Sequence, residues 1–164
     1  MNRARHHYRI AFVMVLAVSF AARAQDPAFI VHQPEQLKWQ PAPAALPPGA
    51  QVAVLRGDPT KPGIFTMRLK FPAGYVVNPH WHTNDEHVTV ISGELKIGMG
   101  DRGSRSETTS VLPGSLMVMP ATHRHFGYFD QETVLQLHGI SPWVVNYVNP
   151  ADDPRITPAG SSQK

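Results

Sequence analysis

An all-β sandwich or barrel is the fold class this sequence predicts, and three observations predict it. Short apolar or alternating runs recur along the chain, turn signals rich in glycine and proline separate them, and no stretch carries a convincing helical period.

The elements follow in order. Arg3, Arg5 and Arg9 form a basic start, residues 10–22 an apolar core, and Ala22-Arg23-Ala24 a small-x-small cleavage site. Residues 1–24 therefore read as a signal peptide, and a periplasmic or secreted location is expected after its removal. The apolar run, at roughly thirteen residues, is short of the roughly twenty a membrane-spanning helix needs, so no stable membrane anchor is expected. Residues 25–50 hold Pro34, Pro41, Pro43, Pro47 and Pro48, which prevent a helix and suggest an extended arm. It is either a flexible linker or, through Trp39 and Leu46, an arm packed along the barrel or onto a second subunit. The barrel itself is placed at residues 51–148. Its runs are 51–56 before Gly57-Asp58-Pro59, 64–71 before Pro72-Ala73-Gly74, 87–91 before Ser92-Gly93, and 94–99 before Gly100-Asp101. After a polar stretch, further runs lie at 110–112, 115–119, 125–129, 133–138 and 144–148. Residues 149–164, with Pro150, Pro154 and Pro158 among small polar residues, read as a flexible tail.

Charge and composition exclude several functions. The chain has 15 Lys and Arg against 12 Asp and Glu, but Arg3, Arg5, Arg9 and Arg23 lie in the leader, leaving 11 against 12. The basic balance belongs to the precursor and gives no argument for nucleic-acid binding. With no cysteine, the chain has no disulfide and must be held by its core. Neither a Ser-His-Asp arrangement nor a phosphate-cradling glycine loop is present, which disfavours acyl transfer and nucleotide chemistry.

The segment from Gly74 to Gly93 carries the chemistry. His80 and His82 share a face if their segment is extended, with Trp81 on the other. Pro79 disfavours a helix there. Glu86, at an even offset from His82, returns to that face once Thr83, Asn84 and Asp85 have made a bend. Neutral imidazole and carboxylate suit divalent iron, manganese, zinc or nickel. A further donor is expected from another strand, where Gly114, Pro120, His123 and His125 follow an apolar run.

These two segments resemble the motifs of the cupin superfamily. Gly74, His80, His82, Glu86 and Gly93 match the fixed positions of the first, and Gly114, Pro120 and His125 those of the second. Thr122 stands where glycine is usual and Phe129 where asparagine is usual, departures expected to touch the turn and the barrel rim. The resemblance implies a small antiparallel β-barrel, or double-stranded jelly roll, in which His80, His82, Glu86 and His125 bind one divalent metal ion (Fe, Mn, Zn or Ni). His123 competes with His125 for the fourth place. A homodimer paired through edge strands is a further implication of the family.

Other polar residues are weighed against ordinary structural roles. His123 and His138, with His87, are the imidazoles available for acid–base catalysis. Gln136 and Arg68 are the candidates to line a substrate pocket, and Arg124 is a second candidate for an anionic substrate. His87 has the opposite parity to Glu86 and is expected on the surface or behind the ligands. The reading reached is a metal-dependent enzyme acting on a small organic molecule by oxygenase, isomerase or lyase chemistry. The rival is a cupin that binds or senses a small molecule or metal without turnover. Histidines in the pocket beyond the ligand set favour the first, and an apolar pocket the second.

Overall fold

The computed structural model describes residues 29–156, so the proposed leader lies outside the described residues. The chain divides into a unit at Met1–Val31 and a second at His32–Lys164, and the second carries the fold. Its strands are β1 (Gln40–Pro41), β2 (Gln51–Arg56), β3 (Gly63–Phe71), β4 (Tyr75–Trp81), β5 (Glu86–Ser92) and β6 (Leu95–Met99). They continue as β7 (Thr108–Val111), β8 (Leu116–Met119), β9 (His125–Phe129), β10 (Thr133–Ser141) and β11 (Asn146–Tyr147). No α-helix occurs among the described residues, which bears out the all-β reading.

Two antiparallel sheets face one another in a jelly-roll-like sandwich, not a closed barrel. The larger runs β1-β2-β3-β10-β5-β8 and the smaller β11-β4-β9-β6-β7. Strand neighbours such as β3 with β10 and β4 with β9 are distant in sequence, so the core forms only when the whole chain has wound between the sheets. Alternation decides what fills it. On β3, Phe65, Met67, Leu69 and Phe71 are buried while the residues between them face outward. Leu135 and Leu137 on β10 and Val88 and Val90 on β5 meet them in one cluster with Val77, Leu95 and Phe129. Each such side chain contributes about 1.5–3 kcal/mol by leaving water.

Three glycines of the histidine segments occupy the left-handed region: Gly74 at φ +81°, Gly93 at +78° and Gly114 at +89°. At Gly93 the space is closed as well, since a Cβ there would lie 2.4 Å from the Glu132 carbonyl oxygen. The proline-rich arm packs on the fold. Its β1 pairs with β2, Leu46 is buried, and the Tyr147 and Tyr75 hydroxyls donate to the carbonyls of Ala45 and Pro47. Beyond β11, Asn149 caps a short turn and Arg155 donates to the Val145 carbonyl, so residues 149–156 stay against the fold.

Candidate metal centre

A β-bulge aims the first histidine. Tyr75 and Val77 face inward on β4, and strict alternation would turn His80, three residues on, away from the core. The register with β9 instead shifts between Val77 and His80, at Pro79, which has no N–H to give to the ladder. After the shift His80 and His82 both point inward and are buried, and His80 stands directly opposite His125 on β9. Glu86 opens β5 in the facing sheet. The four groups therefore meet between the two sheets.

One ring nitrogen from each of His80, His82 and His125 lies within 4.8 Å of the others. Glu86 Oε2 is 3.4 Å from His82 Nε2 and 4.0 Å from His125 Nε2. Each Nδ1 is engaged by a backbone carbonyl: His80 with Asn78 at 2.8 Å, His82 with Val144 at 2.7 Å, and His125 with His123 at 2.9 Å. A carbonyl can only accept, so each Nδ1 donates, and in the neutral ring Nε2 presents its lone pair. His82 Nε2 is buried, has no hydrogen-bond partner among the described residues and faces a carboxylate oxygen. Such an arrangement is stable only with a proton or a cation between the two, and a buried polar atom left bare is costly.

The electrostatics fit a cation. Burial, reinforced by the imidazoles of His125 and His82, pushes His80 down to about 3, and burial also lowers His125. Burial would raise Glu86, but His82, His125 and the Trp143 indole outweigh it and hold the carboxyl well below its usual range. Burial likewise works against a charged His82, yet Glu86 and the Val144 carbonyl carry it upward. Two imidazoles held neutral, and a third drawn toward its charged form by the carboxylate it faces, make with Glu86 a donor set that a borderline divalent metal can take in place of that proton.

Sequence reasoning missed the group that holds the carboxylate. Trp143 Nε1 donates to Glu86 Oε1 at 2.7 Å, and its indole stacks on His82 at a centroid distance of 5.5 Å. Next to it, Val144 supplies the carbonyl that orients His82. One short segment after β10 thus steers two of the four donors, and Glu86 is left with Oε2 as the oxygen facing the histidines. Pro142 and an aromatic residue just ahead of the run at 144–148 were the only signals available.

The remaining sequence-predicted residues are not brought to the site. Leu135 and Leu137 face inward, so Gln136 and His138 stand on the outer face of the larger sheet, where Gln136 accepts from Arg68 Nε at 3.1 Å. Arg68 is turned outward for the same reason, between Met67 and Leu69. His123 is exposed: a turn with Thr122 at φ +64° breaks the alternation that would have carried it inward beside His125. The expected pocket roles of His123, His138, Gln136 and Arg68 are corrected accordingly. His87 faces outward as its parity indicates, and Arg124 pairs with Asp101 on the surface.

The donors line a cavity between the sheets, part of which is open to solvent. Apart from the four donors and Trp143, its walls are apolar, including Leu46 of the arm, Phe71, Val88, Met117 and Leu137. Phe129 lines it too. It is buried and stacked on Phe71 at 4.1 Å, so the position where asparagine is usual belongs to the cavity wall and not to the rim.

Residues 27–143 match the ChrR cupin-like domain family. No curated protein matches the chain. Among solved structures, an acetylacetone dioxygenase from Acinetobacter johnsonii is 16% identical at a TM-score of 0.60, over 83% of this chain and 88% of that one. The polyketide cyclase RemF from Streptomyces resistomycificus is 16% identical at 0.59, over 77% and 90%. An RmlC-like cupin from Shewanella frigidimarina is 15% identical at 0.52, over 70% and 92%. At these identities the likeness shows a shared fold.

Proposed function

The chain belongs to the ChrR cupin-like family, and from that premise we propose that it binds one divalent transition metal and acts on a small, largely apolar organic molecule. His80, His82, His125 and Glu86 would hold the metal. The observation that carries the reading is the cluster of three convergent ring nitrogens and one carboxylate in the wall of an otherwise apolar cavity. When bound, the metal supplies a Lewis-acid centre for an oxygen-bearing end of the substrate.

The chain's own residues do the rest. Backbone carbonyls fix the three rings, and Trp143 fixes Glu86, so the donors are organised before anything binds. The apolar walls take the hydrocarbon part of the substrate and exclude water. No side chain lining the cavity other than the donors can exchange a proton near neutral pH, which leaves isomerase and lyase chemistry without an independent acid or base. Oxygenase chemistry makes the smallest demand on such groups, and an acetylacetone dioxygenase of the same fold offers a precedent. The same lack of a free acid or base favours a second reading, binding or sensing without turnover. Export with loss of residues 1–24 and pairing of two copies complete the proposal.

The test is oxygen uptake by iron-loaded protein with a panel of small ketones, diketones and phenols, compared with His82→Ala. Substrate-dependent uptake, abolished in the variant, is the expected result. Saturable binding with no turnover under iron, manganese, nickel or zinc would overturn the enzymatic reading in favour of the second.

A further inference from the structure

The outer face of the larger sheet carries a pair of imidazoles that the cavity does not use. His87 on β5 and His138 on β10 are direct partners in the ladder, with ring centroids 4.8 Å apart and planes inclined at 36°. Within the cavity cluster the three ring pairs are spaced 4.3, 5.0 and 5.3 Å, so the outer pair has the separation of rings that converge on one point. A cation about 2 Å from one nitrogen of each ring, bound at a near right angle, holds the centroids roughly 4.5–5 Å apart. Strand register brings them to this spacing, since directly opposed residues on one sheet face are close neighbours.

The surroundings leave the pair free for a ligand. Neither ring has a hydrogen bond or ion pair with another described residue, and both are half-buried. Thr66 on β3 and Val118 on β8 flank the pair in that row and neither competes for the rings, while Arg56 on β2 extends the row beyond Thr66. In the next row Arg68 is engaged by Gln136, which restrains its guanidinium. Imidazole pairs select the later first-row ions, and no carboxylate is present in the row to favour harder ones.

We propose that His87 and His138 form an accessory site for one copper(II), nickel(II) or zinc(II) ion, separate from the cavity centre. Two imidazoles leave its other positions to water, so this ion is held more weakly than one bound by four protein donors and exchanges with solvent. Bound there, it ties β5 to β10, the two strands that carry Glu86 and Leu137 on their inner faces.

Nickel(II) titrated calorimetrically into protein matured from the full chain tests this, using wild type, His82→Ala, His138→Ala and the double variant. Two equivalents are expected in wild type. His138→Ala loses the weaker one, His82→Ala the tighter, and the double variant both. His87→Gln, which keeps a polar side chain of similar size, is expected to weaken the outer equivalent at least tenfold with an unchanged circular-dichroism spectrum. A weaker equivalent that persists in both His138→Ala and His87→Gln, or a wild type without one, would overturn the proposal. Loss of the tight equivalent in His82→Ala reports separately on the cavity centre.

Discussion

Glu86 shows how single residues set the site. A carboxyl buried among apolar walls should keep its proton, and only the facing imidazoles and one indole N–H reverse that preference. Trp143→Phe keeps the ring and removes the donor, leaving Glu86 Oε1 buried and unpaired. Metal affinity, read by chelator competition, should fall about 10- to 100-fold, and unfolding free energy by about 1–3 kcal/mol. Unchanged affinity would mean that the indole only fills space. His80, His82, Glu86 and His125 were legible because alternation and a short bend define their spacing. Trp143 was not, because its contact with Glu86 spans 57 residues and belongs to no periodic pattern.

At the scale of elements, strands were legible and their faces less so. The runs at 51–56 and 125–129 coincide with β2 and β9, the first closed by Gly57 and the second followed by the polar residues Asp130, Gln131 and Glu132. What the pattern could not carry is a change of parity within a strand, such as the one at Pro79, or a turn such as that before His125. The latter contains Thr122 in the left-handed region, a costly conformation for a β-branched residue, yet its N–H donates to the His82 carbonyl at 2.8 Å. The turn thus joins the two histidine segments, and its conformation is kept despite the side chain. Relief of that strain, less the greater chain entropy of glycine, is worth about 1 kcal/mol. Thr122→Gly should therefore raise the urea midpoint with metal binding unchanged. A lower midpoint would show that the threonine side chain contributes more than the strain costs.

The whole molecule places polar donors where two apolar sheets meet, and its stability should respond to acid. In metal-free protein His80 is held neutral, with its pKa near 3 against an ordinary 6.5, so the folded state binds fewer protons between those values. Its contribution is complete above 6.5 and is lost as pH falls, at up to about 1.4 kcal/mol per pH unit. His125 acts in the same direction, and Glu86 adds to the loss below 4.5. His82, shifted upward, contributes in the opposite sense: its share is full below 6.5 and fades as pH rises. That share is constant below 6.5, so urea unfolding of chelator-treated protein should show stability falling from about pH 6.5 to 4. A flat profile, or His80→Asn with the same slope as wild type, would contradict this.

The most direct test of the centre itself is metal content by plasma mass spectrometry, on protein dialysed free of weakly held ions, in wild type and His82→Ala. The account predicts close to one retained ion per chain in wild type and none in the variant, with the β-sheet circular-dichroism signal preserved in both. A wild type that holds no metal after reconstitution, or a variant that holds as much as wild type, would contradict it.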